Sequence, residues 1–215
     1  MKKYLNRREA GKILADELAA YKERDDAIVL ALPRGGVPVA YEIAKQLHLP
    51  LDVFIVRKLG VPGHEELAMG AMAANGKIIF NDPIIQDLQI SPTAIQQVIA
   101  KEQKELARRE KIYRGIRLFP ELRAKTIILV DDGIATGATM RTAIAALRQH
   151  DPASIIMAVP VADAVICQDM ASLVDKLVCP LQPRELDAVG AWYDNFDQTT
   201  DEEVRTWLAN VSGNC

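Results

Sequence analysis

Aromatic side chains are scarce in this 215-residue chain, only 5% of its positions, so any local concentration of them stands out. Cysteines number three, and Cys167, Cys179 and Cys215 are odd in count and widely spaced. That pattern excludes a disulfide framework and a zinc site, and it suits idle thiols in a reducing cytoplasm. No apolar run approaches the roughly 18 residues that a bilayer span requires, so no membrane partner is expected. Met1-Lys2-Lys3-Tyr4-Leu5-Asn6-Arg7-Arg8-Glu9 has no apolar stretch behind its charges, so it does not read as a signal peptide. A formal net charge of −3 leaves no global basic field for nucleic acid or an anionic surface. Two phosphate-binding patterns are also missing. No lysine follows Gly137 as an ATP-type loop requires, and the spacing Gly-x-Gly-x-x-Gly does not occur.

What is present centres on Thr126–Met140, TIILVDDGIATGATM. Ile127–Val130 is an all-apolar, mostly β-branched run bounded by polar residues, which predicts a strand buried on both faces, as in a parallel sheet. Asp131 and Asp132 stand at its C-terminal end. A loop of small and hydroxyl residues follows, Gly133-Ile134-Ala135-Thr136-Gly137-Ala138-Thr139, and a helix is predicted over Met140–His150. Ligands of open α/β sheets sit outside the carboxyl ends of the strands. A helix N-terminus with unpaired N–H groups suits a phosphate, and small residues let the backbone approach it. Two carboxylates would repel that phosphate but suit hydroxyl donors or a hydrated divalent cation. A sugar phosphate satisfies both ends.

Two further turns repeat the strand–loop plan. Ala27–Leu32 is predicted as a buried strand running into Pro33-Arg34-Gly35-Gly36-Val37-Pro38, with a helix over Val39–Leu47. Arg34 beside two glycines suits a second anion, gripped by a guanidinium and backbone N–H groups. Leu51–Val56 is predicted as a third strand that delivers Arg57 and Lys58 to the same rim.

The pattern VDDGIATGAT resembles the phosphoribosyl pyrophosphate (PRPP) signature of type I phosphoribosyltransferases. With LPRGGVPVA, VRKLG and the later WYDNF, the chain looks like a bacterial subgroup of that family whose acceptor is unassigned. The resemblance implies an α/β fold with a parallel sheet, helices on both faces, a flexible lid loop and a small C-terminal hood. It implies a single domain over 1–215, with the core at about 27–183, the lid at 59–76 and the hood at 184–215. The implied reaction is transfer of 5-phosphoribosyl from PRPP to a nitrogenous base or similar nucleophile, with loss of pyrophosphate assisted by Mg²⁺. Asp131 and Asp132 are then the ribose and metal residues, counted as catalytic with Arg57 and Lys58. Gly133, Ala135, Thr136, Gly137, Ala138 and Thr139 hold the 5′-phosphate, and Arg34, Gly35, Gly36, Arg57 and Lys58 hold the pyrophosphate. A non-proline cis peptide is expected around Arg34-Gly35. The implied partners are PRPP and a small-molecule acceptor in the cytoplasm, with the oligomeric state, homodimer included, left open. One departure concerns the acceptor: Gly133-Ile134-Ala135 holds no titratable group where purine-specific relatives often carry an acid, which argues against purine salvage.

The remaining segments read as follows. Arg7–Tyr21 is predicted as an amphipathic helix on one sheet face. Leu59–Gly76 loses periodicity and reads as a long connection with hinge glycines at Gly60, Gly63, Gly70 and Gly76; its His64 could serve as a general base or a metal ligand, though a lone histidine in a polar loop is more often neither, and Glu65 and Glu66 read as surface charges. Lys77–Phe80 reads as a short strand. Ser91-Pro92 starts a long helix over Thr93–Arg114. Lys101 to Arg117 carries seven basic and three acidic residues; it reads as a solvated helix face, with a nucleic-acid surface for a non-catalytic PRPP sensor as the competing view. Strands are predicted at Ser154–Pro160 and Lys176–Cys179 and a helix at Asp163–Leu173. Trp192, Tyr193 and Phe196 fall within five residues, before a terminal helix starting at Asp201. Leu181, Trp192 and Tyr193 are the candidates for contacting a planar base, with a hydrophobic plug or a contact between copies as the alternative.

Overall fold

The computed structural model describes residues 3–73 and 76–212, with the side chains of Glu66 and Ser212 also outside the description. Met1, Lys2, Cys215 and two residues of the expected lid, Ala74 and Asn75, lie outside the described residues. Five strands form a parallel sheet in the order β2-β1-β6-β7-β8, comprising β1 (Ala27–Ala31), β2 (Leu51–Val53), β6 (Thr126–Val130), β7 (Ser154–Ala158) and β8 (Lys176–Val178). Strands β1 and β6 are buried along their whole length, as the apolar runs Ala27–Ala31 and Ile127–Val130 require, with Thr126 buried at the start of β6. Alternation then deals their side chains to two cores. Val29, Ala31, Ile128 and Val130 face the helices α1 (Arg7–Glu17), α2 (Gly36–Leu47), α4 (Pro92–Arg114) and α7 (Asp201–Ser212). Ile28, Leu30, Ile127 and Leu129 face α5 (Ala138–Arg148) and α6 (Ala164–Ala171). Helices thus cover both faces. Among the described residues no helix is long and apolar enough to cross a membrane.

The stretch 59–76 departs from expectation. It is not a structureless connection but most of a separate antiparallel sheet: β3 (Val56–Val61), β4 (His64–Ala73) and β5 (Ile78–Phe80), followed by the short α3 (Asp82–Asp87). Its Ala- and Gly-rich composition gives little hydrophobic contrast, so the period-2 pattern is faint even where Met69, Ala71, Met72 and Ala73 are buried. The turn was legible, however. Pro62-Gly63 joins β3 to β4 with Gly63 at φ +79°, the pairing that a tight turn with a left-handed second residue favours. The third core strand is accordingly shorter than Leu51–Val56, and Arg57 and Lys58 belong to β3 rather than to the end of a core strand.

Candidate active site

Register decides what lies beside what. Ala31 pairs with Val130 across β1 and β6, and Leu32 N–H donates to the Val130 carbonyl at 2.9 Å. The Pro33–Gly36 turn and the acid pair therefore leave the sheet side by side. A Cβ on Gly35 would lie 2.0 Å from Asp132 Oδ2, and one on Gly36 would lie 2.7 Å from the Val130 carbonyl oxygen and 2.9 Å from Asp131 Cα. Only glycine admits this approach. A cis peptide joins Pro33 to Arg34, one bond before the expected place, and α2 begins at Gly36, three residues earlier than Val39. In the acid pair, Asp131 Oδ1 accepts from Asp132 N–H at 2.9 Å. Burial, reinforced by the neighbouring Asp132 charge, pushes the Asp131 carboxyl well above the usual carboxylate range. Burial also raises Asp132, against the opposing pull of Arg7.

Gly137, at φ +77°, precedes the first turn of α5, so the small-residue loop ends on a helix N-terminus as expected, two residues earlier than Met140. Ala135, Thr136, Ala138 and Thr139 are exposed around it. Thr136, Ala138 and Thr139 share a cavity of about 790 Å³ with Pro33, Arg57 and Lys58. The β3–β4 turn and α4 complete its walls through Pro62, Gly63, Lys101, Glu102 and Arg109. Asp131, Asp132 and Arg34 are not wall residues of this cavity; the Pro33–Gly36 turn joins the two groups. A larger hollow of about 950 Å³, between the end of α4 and α7, contains none of the residues expected to hold PRPP.

The cations do not stand alone. Arg57 donates from Nε and Nη2 to Glu102 Oε2 at 2.7 and 2.6 Å. Arg34 Nη1 lies 3.7 Å from Asp201 Oδ1, which also accepts from the Tyr113 hydroxyl at 2.5 Å. Burial, with the Asp201 hydrogen bond, pushes the Tyr113 phenol up to about 12. Helix α4 thus faces the site with Lys101, Glu102 and Arg109, while Lys111 and Arg117 line the larger hollow. The basic residues from Lys101 to Arg117 diverge rather than forming one stripe. His64 is exposed at the start of β4, and Glu65 lines the smaller cavity.

Leu181, Trp192 and Tyr193 meet in a third apolar cluster with Tyr4, Val161 and Phe196. Tyr193 is 4% exposed, its ring centroid lies 4.9 Å from that of Phe196, and its hydroxyl donates to the Asp132 carbonyl at 2.5 Å. It backs the acid pair from behind, while Trp192 and Leu181 remain partly exposed. Sequence reasoning missed three participants: Arg7, Glu102 and Asp201. Glu102 and Asp201 sat in charged helical surfaces with nothing local to mark them. Arg7 donates to Asp132 Oδ2 at 2.8 Å across 125 residues of chain.

A phosphoribosyl transferase domain model matches residues 3–187. The chain belongs to the phosphoribosyltransferase family. A Mycobacterium tuberculosis H37Rv protein named "Putative phosphoribosyl transferase Rv0571c" is 42% identical over 208 residues, 97% of this chain and 47% of that one. Its counterpart in strain CDC 1551, MT0597, gives the same figures. This phosphoribosyltransferase chain therefore spans about half the length of the curated relatives it matches. The crystal structure of TT1426 from Thermus thermophilus superposes with a TM-score of 0.87 at 35% identity, covering 98% of this chain and 99% of that one. The two chains share one fold over nearly their whole length.

Proposed function

We propose that this phosphoribosyltransferase moves the 5-phosphoribosyl group of PRPP to a nitrogenous base or similar nucleophile and releases pyrophosphate. One observation carries the reading: the acid pair and the Arg34-Gly35-Gly36 turn leave adjacent strands in contact, so groups suited to a diol and to a diphosphate lie together. Backbone N–H groups of Gly133 and of Ala135 to Thr139, with the Thr136 and Thr139 hydroxyls, receive the 5′-phosphate at the α5 N-terminus, while the Ile134 N–H is committed to the Val161 carbonyl at 2.9 Å. Asp131 and Asp132 accept from the ribose hydroxyls. Arg34, Gly35, Gly36, Arg57 and Lys58 receive the pyrophosphate, where negative charge grows as the C1–O bond breaks; cations already in place there lower the barrier. Little covalent chemistry falls to the protein, and positioning and exclusion of water dominate. The β3–β4 hairpin is the lid, since its turn forms part of the cavity wall.

The residues present fit a Mg²⁺ that arrives with the substrate. Among the described residues no group of three or more His, Cys, Asp or Glu could cage an ion, whereas one or two carboxylates plus phosphate oxygens and water are an ordinary Mg²⁺ environment. Asp131 and Asp132 would hold it, and when bound it supplies Lewis-acid stabilisation of the departing pyrophosphate. Leu181 and Trp192, with Tyr193 behind them, form the acceptor wall. Gly133-Ile134-Ala135 supplies no general base, so the acceptor is one that needs none from that loop. The reaction is assigned to the cytoplasm, in keeping with a cysteine count that is low and odd. Calorimetric titration with Mg²⁺-PRPP tests the binding step, and pyrophosphate release with a panel of purines, pyrimidines and other nucleophiles tests transfer. Asp131→Asn with Asp132→Asn is expected to abolish PRPP binding and leave the fold intact; full affinity in that variant refutes the site.

A further inference from the structure

Arg7 owes its place to two local features. Asn6 caps α1, its side chain accepting from the N–H groups of Arg8 and Glu9, which makes Arg7 the first helical residue. The segment before it pairs with the C-terminal tail: Tyr4 N–H donates to the Trp192 carbonyl, and the N–H groups of Asp194 and Asn195 donate to the carbonyls of Tyr4 and Leu5. Arg7 is thereby laid over the Phe196 ring, 3.7 Å from its centroid. Its Nη1 donates to the Asp197 carbonyl at 2.7 Å and its Nε to Asp132 Oδ2 at 2.8 Å. The Arg7 and Asp132 side chains are 11% and 15% exposed, so this is a largely desolvated pair and not a surface one.

Helix α1 does not need this pair in order to dock. Ala10, Leu14, Ala15 and Leu18 are buried without it, and a Cβ on Gly11 would lie 2.6 Å from the Val39 carbonyl oxygen, which marks close packing on α2. Arg8 supplies a separate tie to Glu42 at 2.6 Å. The Arg7 guanidinium is thus spent on the acid pair and on the tail behind it.

We propose that Arg7 is a positioning residue for PRPP, an inference that rests on the function proposed above. By taking Oδ2 it fixes the plane of the Asp132 carboxylate and leaves Oδ1 to accept from a ribose hydroxyl. It also supplies a counter-charge inside the protein, which lets two adjacent acids stand beside a substrate with several negative charges. The same guanidinium grips Phe196 and Asp197, so the ribose acid and the aromatic tail are held as one unit.

Calorimetric titration with Mg²⁺-PRPP of the wild type, Arg7→Ala, Arg7→Met and Arg7→Lys, with thermal melts alongside, tests this. Arg7→Ala is expected to weaken binding at least tenfold and, because it strands a largely buried carboxylate, to lower the melting temperature by several degrees without preventing folding. Arg7→Met keeps an apolar stem over Phe196 without the charge and is expected to bind as poorly as Arg7→Ala. Arg7→Lys keeps the charge but not the planar fork and is expected to fall between them and the wild type. Wild-type affinity in Arg7→Ala, or restored affinity in Arg7→Met, overturns the inference while the PRPP reading stands. A wild-type protein that does not bind Mg²⁺-PRPP overturns both. Should Arg7→Ala fail to fold, the contrast between Arg7→Met and Arg7→Lys decides.

Discussion

Gly35 touches Asp132: a single added carbon on the glycine would sit 2.0 Å from the carboxylate oxygen Oδ2. Gly35 itself has ordinary right-handed helical angles, φ −59° and ψ −34°, so its lack of a side chain serves the contact and not the backbone conformation. The arginine-glycine turn and the acid pair are therefore one piece of structure, assembled by the β1–β6 register.

Gly35→Ala tests that contact. The new methyl must displace the Asp132 carboxylate, which in turn loses Arg7. Overpacking of this kind costs roughly 1–3 kcal/mol. A melting temperature lowered by several degrees and lost Mg²⁺-PRPP binding are expected in differential scanning calorimetry and titration. A variant that melts and binds like the wild type would show that the two groups do not meet.

The Arg57–Glu102 pair admits a double-mutant cycle. Arg57→Ala leaves the Glu102 carboxylate, 11% exposed, without its guanidinium. Breaking a fully buried pair costs about 3–5 kcal/mol; because Arg57 is itself 29% exposed, roughly 1–2 kcal/mol is expected in urea unfolding. Adding Glu102→Ala is expected to return part of that stability but not the affinity for PRPP, because the cation is still missing. Recovery of both together would assign Arg57 a structural role only.

Stability should also depend on Asp131 in a direction opposite to that of most carboxylates. Burial and the Asp132 charge raise its value in the folded protein, so between the ordinary carboxylate range and that raised value the native state binds more protons than the unfolded chain. The slope of stability against pH is then negative in that window: the unliganded protein loses stability as pH rises through it and regains stability on acidification. Asp131→Asn removes the share of this dependence that belongs to Asp131 and leaves that of Asp132, whose carboxyl burial also raises. It is expected to melt higher than the wild type at pH 8, to differ less near pH 5, and to lose PRPP binding. A wild-type advantage in stability at pH 8 would contradict the assigned environment of Asp131.

The sequence by itself determined the parts whose physics is local. Ile127–Val130 had to be a two-sided buried strand because it offers no polar face. The small-residue loop had to open onto a helix because Met140 onward carries helical periodicity, and Asn6 and Ser91 stand as side-chain caps where α1 and α4 begin. Even the Pro62-Gly63 turn was written in the chain, although the low contrast of the Ala/Gly strands around it hid the hairpin. Partnership was decided only in three dimensions. Register brought Gly35 against Asp132, and the pairing of Tyr4–Leu5 with Trp192–Asn195 carried Arg7 to an acid 125 residues away. The packing of α4 across β3 turned Glu102 from one charge in a helical run into the partner of Arg57. Such ion pairs leave no periodic trace, because a charge placed at one point of the chain says nothing about which distant charge the folded backbone will bring to it.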